Sequence, residues 1–253
     1  MVYAAFIHVL IPFCLCVILA NSGLFDHVVV DLTYDHYAEK TVQWLPAFLA
    51  MPFNCLVNVG YVVMGTFWLF KPIGPRDSRE RYFKDVFAFM AILYGPIQWI
   101  RLSSLSRAPA VLDQWFTLPI FAWVPVWCHF TEHGWSPWHV LTTETVSILS
   151  YALALFHELG FDAALACHVA GAVFTGVKIQ RSHGDATTLR HLLLAVLSCS
   201  GFVVLKLLDL TLAQNWLFQN LTGHFWSKIC DILQFHFSFC FLTDLNAKGT
   251  KKL

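Results

Sequence analysis

Three ionisable side chains stand at helical spacing inside one apolar run near the C-terminus of a 253-residue chain. In GHFWSKICDILQFHF, His224, Lys228 and Asp231 fall at i, i+4 and i+7, one face of an α-helix. Gln234 continues that face, whereas His236 points roughly 120° away at 3.6 residues per turn. An imidazole, an ammonium and a carboxylate on one face can relay protons, hold a polar head group or neutralise one another. Each is costly in hydrocarbon, so an ionisable group there is a functional candidate by default. Two readings of Lys228 and Asp231 stay open: an intrahelical ion pair that makes the run tolerable, or part of a cavity shared with other helices.

Other runs offer partners. Asn54 and Asn58 in PFNCLVNVGY are i, i+4 and can hydrogen-bond to a neighbouring helix or face a cavity. YGPIQWIR holds a Gly95-Pro96 break, with Gln98 and Arg101 just beyond it. Asp113 opens LDQWFTLP, where a carboxylate either caps a helix or faces the same cavity. Lys206 and Asp209 read as a local pair, and Glu144 has no legible partner. No GxSxG, Walker loop, HExxH or GxGxxG occurs. The twelve histidines are dispersed; His129 and His133 come closest to a ligand pair, but at a span end and its loop. The eight cysteines lie within or at the end of apolar runs without CxxC spacing and read as small buried side chains. No metal or other cofactor is expected.

Elements that could position these groups must be membrane helices. The chain is 57% hydrophobic and 13% charged, with mean hydropathy +0.60, against about 45–50% and 25% in soluble domains. A soluble globule could not hide that much apolar surface. A net charge of +0 excludes a basic nucleic-acid binder. A ruler of about 20 apolar residues per crossing marks eight spans, near 2–20, 47–70, 83–102, 113–130, 138–157, 161–178, 190–209 and 224–243. The expected fold is all-α, a polytopic transmembrane helix bundle. Residues 1–22 form an N-terminal transmembrane helix or signal anchor, 23–46 an acidic non-cytosolic loop with Asp26, Asp31, Asp35 and Glu39, 47–243 a seven-helix membrane domain, and 244–253 a short basic cytosolic tail. The first run lacks a basic leader and a good cleavage context, so it reads as a retained extra helix.

Eleven of the sixteen lysines and arginines fall on one side if every span crosses: Lys71, Arg76, Arg79, Arg81, Lys84, Lys178, Arg181, Arg190, Lys248, Lys251 and Lys252. The other side has Lys40, Arg101 and Arg107. This bias puts the C-terminus in the cytosol. Asn220-Leu221-Thr222 is an N-glycosylation sequon on the opposite face, close to the bilayer. Tryptophans at span ends, Trp44, Trp68, Trp135, Trp138 and Trp226, read as an interfacial belt.

The blocks LPAFLAMPFNCLVN, YFKDVFAFMAILYGPIQWIRL, AVLDQWFTLPIFAW and LTGHFWSKICDILQFHF closely resemble the transmembrane protein 187 family, in order and over nearly the whole chain. That resemblance implies a multi-pass membrane protein. More distantly, the seven spans from 47 onward are similar to the superfamily of alkaline ceramidases and progestin/adipoQ receptors, seven-helix proteins with an intramembrane zinc site. Phe53-Asn54 through Asn58 and Leu112-Asp113 are similar to its Asn-rich and Leu-Asp motifs. Its serine and first zinc histidine would fall near Tyr94 and Gln98, and its HxxxH pair on His224 and Lys228. One of three zinc histidines would survive, so the resemblance implies a lipid-binding cavity whose metal is lost or rebuilt.

The functional expectation is a non-enzymatic endomembrane or vesicle-membrane protein that binds a lipid or small amphiphile among Asn54, Asn58, Gln98, Asp113, His224, Lys228 and Asp231. The alternative is a membrane-embedded metal-dependent lipid hydrolase with zinc on His224 and His236. A transporter or channel is disfavoured by the lack of inverted repeats and of charge rings.

Overall fold

The computed structural model describes residues 1–72 and 78–249, whose regular elements are all helices, with no strand among them. Arg76, Lys251 and Lys252 lie outside the described residues. The order is α1 (Val2–Ala20), α2 (Pro52–Leu56), α3 (Val59–Phe70), α4 (Ser78–Ser104), α5 (Arg107–His133), α6 (Pro137–Ser150), α7 (Leu153–Phe156), α8 (Gly160–His183), α9 (Ala186–Leu207), α10 (Asp209–Leu212) and α11 (Gly223–Gly249). The pairs α2–α3 and α6–α7 each make one interrupted rod, so eight rods run alternately up and down. Hydrogen bonds between the connections identify the two ends of the bundle. Tyr34 to Leu102, Arg107 to Val28 and Trp99 to Phe48 tie together the end bearing residues 21–46, the loop end. Lys178 to Glu132 and Thr131 to Asn246 tie the opposite, tail end.

Among the described residues six rods are long and apolar enough to cross a membrane: α1, α2–α3, α4, α6–α7, α8 and α9. The other two, α5 and α11, have 27 residues each, ample in length but less apolar. Their neighbours explain this. α5 packs on α1, α4, α6, α8 and α11, and α11 on α3, α4, α5, α8 and α9. A helix wrapped by protein can carry polar groups that lipid would reject. The outward faces of α8 and α9 are greasy, with Phe174, Leu193, Leu197 and Leu207 exposed.

Lipid tails are as apolar as leucine, so these helices gain from close backbone approach and polar contacts more than from apolar burial. α3 and α4 approach through glycines. A Cβ at Gly65 would stand 2.7 Å from the Ala88 carbonyl, and one at Gly95 2.7 Å from the Asn58 carbonyl. Lys84, counted above among loop cations, is buried and donates to the carbonyls of Trp68, Leu69 and Lys71 at 2.6, 3.0 and 3.1 Å. It closes the C-terminal end of α3, where a cation suits the helix dipole.

Several sequence expectations change. α4 runs unbroken through Gly95-Pro96, so the break is absent, although Pro96 has no N–H for the turn before it. Trp68 is not in an interfacial belt: it is buried and stacked on Phe239, ring centres 4.7 Å apart. α11 continues to Gly249, through the first residues of the segment 244–253 read as a tail. Residues 21–46 fold over the loop end. There Glu39 accepts the backbone N–H groups of Phe53 and Asn54 at 2.9 and 2.8 Å, where α2 begins.

Candidate functional site

The seven candidate residues are all buried, in three settings. The first is a bonded chain across three helices. Lys228 on α11 donates from Nζ to Gln98 Oε1 on α4 at 2.6 Å. Gln98 Nε2 donates to Asp113 Oδ1 on α5, and the Arg101 guanidinium pairs with Asp113 Oδ2. Gln98 and Arg101 are three residues apart on α4, the spacing that puts both within reach of one carboxylate. Asp113 lies well inside α5, which begins at Arg107, so the capping role considered for it does not apply.

Asp231 belongs to the second setting. Its Oδ2 accepts the Tyr61 hydroxyl of α3 at 2.5 Å. Lys228 and Asp231 therefore both bond to other helices, and no ion pair joins them among the described residues. The intrahelical reading fails because each has a better-placed partner across a helix interface. The third setting is peripheral. His224 opens α11 with its ring edge-on to Tyr37, centres 4.6 Å apart, and its backbone N–H donates to Asp209 Oδ1 at 2.7 Å. Asp209 also accepts Ala38 N–H at 2.8 Å, so its carboxylate holds the loop to α11 instead of pairing with Lys206. Asn58 bonds the Asn54 and Cys55 carbonyls at 2.8 and 3.2 Å, closing the α2–α3 break within its own rod. The Asn54 side chain has no hydrogen-bond partner among the described residues.

A cavity of about 440 Å³ opens beside the first setting, within the usual range of about 300–1,000 Å³ for small-ligand sites. Its wall includes Gln98, Asp113 and Lys228, while Asn54, Asn58, His224 and Asp231 stand outside it. It also includes residues the sequence reading did not single out as site residues. Arg101 had been counted as a loop cation, and Lys206 as half of a local pair. Tyr94 and Thr117, whose hydroxyls are 3.3 Å apart, line it too. The spacing of Arg101 from Gln98 was a usable signal; nothing in the sequence revealed that α9 turns Lys206 toward α11. Asp31, Glu158 and Asp162 form an exposed acidic rim. In the loop above it, burial lowers the pKa of His36 from its ordinary value, against the pull of Asp31. Burial raises that of Glu39, against its two backbone bonds.

Toward the tail end the cavity shares Phe121, Val169 and Cys199 with a narrower crevice of about 50 Å³. The crevice is mostly apolar, walled by such residues as Ala172, Leu192, Ala195 and Phe241, with Gln234 and Ser238 as polar groups on its α11 side.

These donors do not suit zinc. Lys228 acts as a hydrogen-bond donor to Gln98 and has no lone pair to offer while protonated. Asp113 is engaged by Arg101, and the His224 ring faces Tyr37 outside the cavity. His236, the other zinc candidate, lies twelve residues on, about 18 Å along the helix, where its Nδ1 accepts the Trp68 indole N–H at 3.3 Å. Among the described residues no three His, Cys, Asp or Glu side chains are grouped to hold a metal ion.

The model of the TMEM187 protein family matches residues 5–243. The chain is 54% identical to transmembrane protein 187 of Bos taurus over 247 residues, 96% of each chain. It is also 54% identical to transmembrane protein 187 of Homo sapiens over 242 residues, 96% of this chain and 92% of that one. No solved structure matches.

Proposed function

The chain belongs to the TMEM187 protein family, and from that starting point we propose that it binds a lipid or small amphiphile between α4, α5, α8, α9 and α11. One observation carries this reading: the cavity that holds Gln98, Arg101, Asp113 and Lys228 shares the wall residues Phe121, Val169 and Cys199 with the mostly apolar crevice. A chamber with charged groups in its wall, set against an apolar slot, suits the two ends of an amphiphile. A substrate soluble in water would gain nothing from the slot. The distant similarity to lipid-binding seven-helix proteins points the same way, as an analogy of fold. The reading needs no cofactor.

The excess of basic residues at the tail end supports a cytosolic C-terminus and a cavity opening to the lumen of an endomembrane compartment. Sequons engineered singly into residues 23–46 and into the C-terminal tail test this: a glycan is expected on the first only. For binding, purified full-length protein is extracted for lipid by mass spectrometry. Lys228→Met should cut the co-purifying amphiphile roughly tenfold, the loss of one charge-assisted contact. Equal lipid yield from the variant and the parent would end this reading of the site.

A further inference from the structure

The order of groups along the cavity walls says more about the ligand than its volume does. On α5, which runs from the loop end, Asp113 and Thr117 line the cavity and Val124 the crevice, with Phe121 in both. On α8, Asp162 and Leu165 come first and Ala172 and Val173 later. α11 presents Lys228 first, then Gln234, Ser238 and Phe241. α9 runs the opposite way and shows the order reversed, from Leu192 and Ala195 to Phe202 and Lys206. Four helices thus agree on one order, the cavity and its charged groups toward the loop end and the crevice toward the tail end. Of the three rim acids Asp31 is taken by His36 and the Thr33 N–H, which leaves the exposed carboxylates of Glu158 and Asp162 at the mouth beside the exposed Lys206. Lys228 is buried between that rim and the apolar floor, so rim, cationic middle and floor make three layers.

The middle layer carries cationic charge that its own acids do not cancel. Asp113 is matched by Arg101. Lys228 is held only through a neutral amide, and neither it nor Lys206 makes an ion pair among the described residues. A ligand that answers all three layers has a cation outermost, an anion beneath it and an acyl chain below.

We propose that the cavity binds a zwitterionic phosphodiester lipid of the phosphocholine or phosphoethanolamine type. Its phosphate lies at Lys228 and Lys206, its ammonium at Glu158 and Asp162, and its chain enters the crevice past Phe121 and Val169. Phosphate suits the middle layer because ammonium groups bind it as point charges. The rim discriminates by sign: an anionic lipid would set its free charge against two carboxylates, and like charges there cost affinity. The crevice as it stands holds only about 50 Å³, so most of the chain lies beyond it, along the exposed apolar faces of α8 and α9. This inference rests on the amphiphile reading above and narrows it to one head-group class.

The test uses full-length protein in a neutral maltoside detergent, titrated with lysophosphatidylcholine, lysophosphatidylglycerol, monoacylglycerol of the same chain, and free phosphocholine, with binding read by native mass spectrometry. Lysophosphatidylcholine should bind roughly tenfold tighter than the other three. Glu158→Gln combined with Asp162→Asn, both exposed and remote from the packed interior, should abolish the preference for choline over glycerol. It should leave the preference for phosphodiester over monoacylglycerol. Lys206→Met should weaken both phosphodiesters and spare monoacylglycerol. Equal binding of the choline and glycerol lipids by the parent protein overturns the head-group assignment while the amphiphile reading stands. Phosphocholine binding as tightly as its lysolipid overturns the chain's part, and no binding of any acylated ligand overturns both.

Discussion

Two of the polar networks inside this bundle, one buried and one partly buried, differ in what lies beside them. At the loop end, Lys228, Gln98, Asp113 and Arg101 join α11, α4 and α5 next to about 440 Å³ of space. At the tail end, His8 joins α1 to α4 and α6. Its Nε2 lies 2.7 Å from both Glu144 oxygens and its Nδ1 meets the Tyr82 hydroxyl. Beside His8 and Glu144 there is about 20 Å³, room for one water at most. Both networks contain ionisable groups at positions where hydrocarbon forbids lone charges. Burial of charge therefore does not distinguish a binding site from a structural clasp; open volume against the network does. Glu144, which had no legible partner in the sequence, is matched by a histidine 136 residues earlier.

The comparison breaks most visibly at the clasp. Glu144→Ala leaves the partly buried His8 without its carboxylate, and loss of a hydrogen bond to a charged group costs up to about 3 kcal/mol. Thermal unfolding in detergent should show the fall, while lysolipid binding by the protein that remains folded should be unchanged. His8→Leu with Glu144→Leu replaces the pair by apolar volume and should recover most of the stability, because an apolar isostere is often neutral. Lost binding with stability intact would exchange the roles assigned to the two networks.

An effect no larger is expected between the networks, at the glycine contact of α3 with α4. A methyl at Gly95 would meet the backbone carbonyl of Asn58 at 2.7 Å, and a backbone atom has little freedom to give way. Gly95→Ala should destabilise by about 1–3 kcal/mol, as overpacking does. Gln98 sits one turn further along α4 and Arg101 nearly two, so this variant should weaken lysolipid binding as well. The clasp variants should not, and that contrast sharpens the distinction.

Much of the architecture was legible in the sequence because bilayer thickness sets a length scale that apolar runs report directly. The extent of α1, the start of α8 and the turn at Glu158–Leu159 followed from it, whereas α8 runs five residues beyond the expected 178. The cluster was legible in part: Gln98, Asp113 and Lys228 stood out as polar groups within spans, and they do converge. Asn54, Asn58, His224 and Asp231 were marked by the same rule, but bonds set by helix rotation and loop docking draw them to other partners. No periodicity encodes how one rod rotates against another, so Tyr61 as the partner of Asp231 was invisible. Trp68 shows the same limit, since position at a span end says nothing about which way a ring faces.

The smallest effect belongs to the loop that covers the site, and its sign follows from two opposed groups. His36 is titrated below its ordinary value of about 6.5 in the folded loop. As pH falls through that value, the undocked loop takes up the proton first, so the docking contributed by neutral His36 is present above it and lost below. Glu39 runs the other way. Its raised pKa lets the docked loop take a proton first as pH falls toward the ordinary carboxylate range, which favours docking. Asp31 and Asp209 oppose the downward shift of His36, whereas Arg101 and Lys206 reinforce it. His36 is about one-third exposed, 33% for its side chain, so solvent screening holds its share below about 1 kcal/mol. Between pH 7.5 and 5.5, amide exchange across residues 21–46, corrected for its intrinsic pH dependence, should quicken a few-fold in the parent. In His36→Gln it should stay level or slow slightly, leaving Glu39 alone in view. Exchange that quickens equally in both proteins would remove His36 as the cause. Slower entry of lysolipid at pH 7.5 than at 5.5, in the parent only, would tie the docked loop to the mouth of the cavity and mark the loop end as the working end of the bundle.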